Sequence, residues 1–160
     1  FFEGAAVSVR LDQDEAWAVV EAAHTGILTT LRRDGSPITL PVWFAVIDRR
    51  IYVSGPASAK RHLRVKRDPR VSFLVESGLR WAELRAVHLT GRAQVLTDSA
   101  LEVRVAAALN LKYASFRTAR SAMPSATRAH YEVSRLTLEI VPDDRILSWD
   151  NALCARTSVV

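Results

Sequence analysis

The chain has 160 residues, of which 49% are hydrophobic and 24% charged, and it carries a net charge of +5. That is the balance of an ordinary soluble domain with a sizeable core. No apolar run approaches the roughly 18 residues needed to span a bilayer, and the single Cys154 excludes an internal disulfide and fits a reducing cytoplasm.

The opening stretch, "FFEGAAVSVR", has no signal-peptide pattern and reads as a mobile tail over 1–10, ahead of a single domain over 11–160. In "DQDEAWAVVEAAHTG", Asp12 followed three residues later by Glu15 is a capping-box pattern. Trp17, Val20 and Ala23 recur at helical spacing, and Gly26 is expected to supply the stop. Asp34-Gly35 then stands between "ILTTL" and "ITLPVWFAVI", a strong hairpin signal. Pro37 and Pro41 cannot donate to a sheet ladder, so this second strand belongs at an edge or carries a bulge. A third strand, "RIYVS", ends at Gly55-Pro56.

Ser58 is expected to cap a short helix, "SAKRHLRVKRD", which Pro69 stops. "RVSFLVE" alternates like a strand with two unlike faces. "RAVHLTGRAQVLT" is a longer strand with Gly91 as a bend or bulge. In "DSALEVRVAAALNLKY", Ser99 and Glu102 form a second capping-box pattern, and Leu101, Val105, Ala108 and Leu109 face a core. "ASFRTARSAMPSATRAHYEVSR" is polar and irregular, and "LTLEIVPDDRILSW" is a strand pair or one strand with an extension. Hairpin-linked strands with two long helices predict a mainly β, α+β fold, an antiparallel barrel or sandwich with helices outside.

Positive charge is concentrated in one place. Between Ser58 and Arg70 there are six cations and one acid, an excess equal to the net charge of the whole chain. Lys60 and Arg61 fall in the first turn of the expected helix, where the helix dipole disfavours cations unless an anion is bound. Ser54, Ser58, Lys60 and free backbone N–H groups are therefore expected to converge on a phosphate. On their own, Arg64, Lys66, Arg67 and Arg70 read as a solvated face. The histidines, His24, His62, His88 and His130, lack metal spacing, and one cysteine cannot complete a zinc set. No dinucleotide fingerprint, P-loop or G-x-S-x-G elbow is present. An enzyme with this sequence needs a bound organic cofactor to carry the reaction, with Trp43, Trp81 and Trp149 as stacking candidates.

"GILTTLRRDGSPITLPVWFAV", "IYVSGPASAKRHLRVKRDPRVSFLVE" and "VHLTGRAQVLTD", in this order, resemble the pyridoxamine-phosphate-oxidase-like family of flavin-binding split β-barrels, which share the flavin-reductase fold type. The likeness runs from about Glu15 to Asp98 and resumes near "RILSWD". It implies a six-stranded antiparallel split β-barrel working as a homodimer, with cofactors in clefts between the subunits. It implies Leu40, Pro41, Val42 and Trp43 along the cofactor ring, Ser54, Ser58, Ala59 and Lys60 on the phosphate, and Trp149 reaching toward the partner's site. True pyridoxamine-phosphate oxidases carry an Arg on the second strand that grips the flavin phosphate; "PITLPVWFAV" has none.

That departure favours the deazaflavin coenzyme F-420 over flavin mononucleotide (FMN). The longer anionic tail of F-420 would use Arg61 and Arg64. The expected protein is a cytoplasmic oxidoreductase that passes a hydride from F-420 to a small unsaturated or quinone-like acceptor. Its alternatives are an FMN-dependent reductase or oxidase and a non-catalytic flavin, deazaflavin or haem binder. No metal, nucleic-acid partner or catalytic residue is assigned; Tyr113 and His130 are the cleft-side groups nearest to such a role.

Overall fold

A computed structural model describes residues 8–156, so most of the expected N-terminal tail lies outside the described residues. In chain order the elements are α1 (Gln13–Ala22), β1 (Gly26–Leu31), β2 (Pro37–Val42), β3 (Ala45–Ile47), β4 (Arg50–Pro56), α2 (Lys60–Arg67), β5 (Arg70–Ser77), β6 (Arg85–Val95), α3 (Ser99–Tyr113), α4 (Ser125–Tyr131), β7 (Arg135–Asp150) and α5 (Ala152–Arg156). The strands form a 7-stranded sheet in the order β2-β1-β5-β6-β7-β4-β3, antiparallel throughout. β2 and β3 occupy opposite edges, yet only Trp43 and Phe44 separate them in the chain. Three Cα steps reach at most about 11 Å, so the sheet has to curl until its edges meet, giving a half-barrel.

Six strands become seven because the expected second strand breaks at Trp43 and Phe44. Phe44 turns fully into the core, and its N–H is taken by the Tyr113 hydroxyl at 3.0 Å rather than by a neighbouring strand. β2 keeps the edge position that Pro37 and Pro41 required. The last strand is one 16-residue element rather than a pair. It joins β6 on one side to β4 on the other. Its register against β6 shifts between Leu89 and Gly91, and a Cβ on Gly91 would stand 2.4 Å from the Val141 carbonyl oxygen. Only glycine admits this close approach, so the expected bulge sits where the sequence put it.

Two apolar cores follow from β4, whose side chains alternate between them. Ile51 and Val53 point into the half-barrel with Leu28, Phe44, Phe73, Val87 and Leu89, and Trp17 and Val20 of α1 join them there. Tyr52 points outward into a second core with Val105, Leu109 and Tyr113 of α3. Leu101 and Ala108 pack against that core, as the helical spacing predicted.

The caps differ in detail. Asp12 and Glu15 make the full capping box. α3 is capped by Asp98, which accepts the Leu101 N–H, and not by Ser99. The N-cap of α2 is Ala59, with no side-chain cap bond, so Ser58 does not cap it. α1 ends at Ala22, and Gly26 is not its stop but the first residue of β1.

Candidate functional site

A cavity of about 540 Å³ opens beside β4 and the start of β7, with α3 on one side and residues from the 114–134 segment on another. Val105, Ala106, Leu109 and Met123 give it an apolar lining, while Arg117, Arg120 and Arg135 contribute positive charge against the single carboxylate of Glu102. Trp43 contributes an aromatic surface: it is 38% exposed and stacks on Tyr113 with ring centroids 4.3 Å apart. Tyr113 is held rigidly behind it. Its hydroxyl accepts the Phe44 N–H at 3.0 Å and donates toward the His24 carbonyl at 2.8 Å. Burial raises the pKa of this phenol above its ordinary value, against a smaller opposing effect of the Phe44 backbone. Buried behind Trp43, the Tyr113 hydroxyl is committed to backbone partners at Phe44 and His24. His130 lies exposed on α4, edge-on to Tyr131 at 5.6 Å.

A second, much smaller recess lies between β1, β2 and α2, lined by Leu28, Thr30, Ile38, Leu40, Val42, Arg61 and Arg64. Here α2 brings two guanidinium groups to the strand that lacks an arginine of its own. Arg64 Nη1 donates to Thr30 Oγ1 at 3.3 Å, and Arg61 Nη2 donates to the Ser54 carbonyl at 3.2 Å. Arg61 is not on a solvated face. Its Nη2 occupies the space where a Cβ on Gly55 would stand, only 1.7 Å away. Burial, and then the charge of Arg135, pull its pKa below the usual guanidinium value. Next to it, His62 is 5% exposed, and burial and then Arg61 push its imidazole toward the neutral form.

The expected site residues therefore divide. Trp43 and Ser54 line the large cavity, and Leu40, Val42, Arg61 and Arg64 line the recess. Pro41 is in register with Ile27 on the opposite face of β2 from Leu40 and Val42. Ser58, Ala59 and Lys60 line neither space, and Ser58 and Lys60 are exposed. Arg135 was not foreseen. Its Nε donates to Ser54 Oγ at 3.3 Å, and it reaches that position only because β4 pairs with β7, placing Arg135 opposite Pro56. Nothing local in "VSRLTLE" signals that pairing. Among the described residues no cluster of His, Cys, Asp and Glu could hold a metal ion.

The outer face of the sheet carries a third feature. Pro41, Ile27, Leu74, His88 and Leu147 stand in register across β2, β1, β5, β6 and β7. Leu147 is 49% exposed and Trp149, two residues on, is 40% exposed. Trp149 lines neither cavity. A parallel row of Thr39, Thr29, Ser72 and Thr90 gives this apolar strip a polar margin, with the Thr29 and Thr39 hydroxyls 2.9 Å apart.

The curled antiparallel sheet agrees with the sequence comparison. The chain matches the pyridoxamine 5'-phosphate oxidase family over residues 12–138 and belongs to it. A conserved hypothetical protein from Mycobacterium tuberculosis is similar in structure, with TM-score 0.76 and 29% identity over 96% of this chain and 92% of that one. A FAD-binding protein from Mesorhizobium loti shares the fold at TM-score 0.62 and 21% identity, covering 86% of this chain and 91% of that one. An F420 reductase does so at TM-score 0.58 and 21% identity, covering 81% and 94%. No curated protein matches the sequence. No helix among the described residues is long and apolar enough to cross a membrane.

Proposed function

We propose that this protein is a cytoplasmic, homodimeric oxidoreductase that binds coenzyme F-420 and reduces a small unsaturated or quinone-like acceptor. The observation that carries the reading is the pairing of a roomy, arginine-bearing cavity with an exposed indole face at Trp43. These residues fit a planar, multiply anionic cofactor. The β2 backbone at Leu40, Pro41 and Val42, leading into Trp43, would run along its ring. Ser54 and the arginines of α2 would hold its anionic groups, while Ser58, Ala59 and Lys60 would meet it from the solvent side. When bound, the deazaflavin would supply the hydride. The chain's own contribution is to orient the two reactants and exclude water, which converts an encounter into a positioned reaction. The Tyr113 hydroxyl is committed to backbone partners, so the proton that accompanies the hydride would come from solvent.

The exposed strip from Pro41 to Leu147 supports the dimer. In that assembly Trp149 would cover the partner's cofactor cleft. The likeness to a FAD-binding protein supports a second reading, a flavin-dependent reductase or oxidase with FMN or FAD in the same place. Spectral titration of the purified protein with F-420 and with FMN separates the two. The expected result is a saturable change with F-420 and oxidation of reduced F-420 when a quinone or enone is added. Saturation by FMN alone would favour the second reading, and tight binding without turnover would make the protein a carrier or store.

A further inference from the structure

Trp43 and Phe44 are the two residues between β2 and β3, where the curled sheet closes. Both are held by the last turn of α3. The Tyr113 hydroxyl accepts the Phe44 N–H at 3.0 Å and lies 3.1 Å from the Phe44 carbonyl and 2.8 Å from that of His24. The Tyr113 ring stacks on the Trp43 indole with the two planes 1° apart. Lys112, the preceding residue, covers the other member of the pair. Its Nζ lies 3.8 Å from the centroid of the Phe44 ring and 5.5 Å from that of Tyr113. The same ammonium donates to the Glu21 carbonyl at 3.3 Å. That carbonyl belongs to the last turn of α1, whose acceptors have no partner within the helix. The last turn of α1 has no basic residue of its own. Lys112 also sits in the last turn of α3, so one cation answers the negative ends of two helices. His24 completes the corner, edge-on to Trp43, Tyr113 and Phe116 at 5.8, 5.3 and 4.4 Å. Holding a lysine half-buried costs hydration and side-chain entropy, which the ring faces and the carbonyl offset.

We propose that Lys112 is a positioning residue: with Tyr113 it clamps the Trp43–Phe44 break to the end of α1, and so fixes the free face of the Trp43 indole for a planar ligand in the large cavity. Trp43 has one face against Tyr113 and is 38% exposed, so its other face is the one a ligand meets. The identity of that ligand rests on the cofactor reading above, whereas the clamp is testable without any cofactor. Burial pulls the Lys112 pKa down from 10.5 to about 8, against a smaller opposing pull from Glu21. The ammonium therefore discharges in the folded chain at a pH where an unfolded lysine keeps its proton. Between these two values the contribution of Lys112 to global stability rises with pH, because the unfolded chain binds the extra proton. Loss of the cation from the Phe44 ring is thus a local event, to be read at Trp43 and not in a melt. The other titratable groups at this corner are Glu21, His24 and Tyr113, and burial pushes the Tyr113 phenol upward, away from this range.

The test uses the cofactor-free full chain, with the Trp43→Phe spectrum subtracted so that the signal is that of Trp43. Acrylamide quenching and near-ultraviolet circular dichroism report how firmly the indole is stacked. Lys112→Met keeps the length of the side chain and removes the charge, and it should raise quenching about twofold at neutral pH. The parent should pass through a single-proton transition toward the same loosened state between about pH 7 and 9, and His24→Gln should keep that transition. Lys112→Arg should hold the tight state across the same range, because a guanidinium stays charged there. Lys66→Met, on the exposed side of α2, should match the parent throughout. FMN and F-420 are then titrated, and whichever binds should bind about threefold to tenfold more weakly to Lys112→Met. The proposal fails if Trp43 quenching in Lys112→Met equals that of the parent, or if the parent's signal is flat across the same pH range. If Lys112→Met does not fold, the parent titration and Lys112→Arg decide the matter by themselves. A chain whose Trp43 loosens as described, yet which binds neither cofactor, keeps the clamp and sinks the cofactor reading.

Discussion

Glu139 shows how a single buried charge is stabilised. The residue is 4% exposed, and its carboxylate takes hydrogen bonds from Arg50 at 2.8 Å, Gln94 at 2.8 Å and the Tyr52 hydroxyl at 3.1 Å. Burial alone would raise its pKa, but the bonds from Gln94, Arg50 and Tyr52 outweigh burial and hold it below the ordinary value of 4.5. A carboxylate with a depressed pKa contributes stability that is fully present above its unfolded value and is lost as pH falls through its folded value. Glu139→Gln keeps the shape and removes the charge, so it should cost about 1–3 kcal/mol at neutral pH. The penalty should begin to shrink as pH falls below the unfolded carboxylate value of about 4.3 and go on shrinking as it falls through the lower folded value, where the parent carboxylate takes up its proton too. Chemical denaturation at several pH values checks this, and an equal penalty at pH 7 and pH 3 would contradict it. Arg61 teaches the complementary lesson. In the sequence it is one cation among six, and only the missing side chain of Gly55 lets it settle half-buried against the Ser54 carbonyl.

At the scale of elements, local signals were legible wherever the chemistry was local. The Asp12–Glu15 capping box, the Asp34-Gly35 hairpin, the proline-bearing edge strand and the Gly91 bulge all depend on a few consecutive residues. Ser58 misled because the Gly55-Pro56 segment stays in the sheet, with Pro56 opposite Arg135, and the turn that follows is closed by Ala59 N–H to Pro56 O at 2.9 Å. The helix therefore starts one residue late for a serine cap. This difference is measurable. Asp12→Ala should lower stability by about 1 kcal/mol through loss of the Glu15 N–H bond, whereas Ser58→Ala should leave it within about 0.5 kcal/mol. Matched thermal melts decide the question, and equal losses would restore Ser58 as a cap. The approach of Arg135 to Ser54 was not legible, because the pairing of β4 with β7 brings together residues 81 apart in the chain.

Taken as a whole, the molecule presents one face that is too apolar to be left bare. The registered strip ending at Leu147 and Trp149 suits an isologous contact, in which each copy covers the other's strip. Stable obligate contacts bury on the order of 2,000 Å² in total. If the proposed dimer uses that face, Leu147→Glu should shift sedimentation toward monomer, whereas the same change at the exposed Leu111 of α3 should not. The sheet order has a further consequence, for the time course of folding. β1, β2, β5 and β6 pair among themselves, but β3 and β4 are joined to them in the sheet only through β7. A nascent chain therefore has no way to unite its two halves until Arg135 and the residues after it are available. Pairings this distant in sequence are slow, because loop closure precedes any reward. Pulse-labelled hydrogen exchange during refolding should find amides of β1, β5 and β6 protected before those of β4. The waiting intermediate would expose the edge of β4, which is the moment at which this chain is most prone to aggregate.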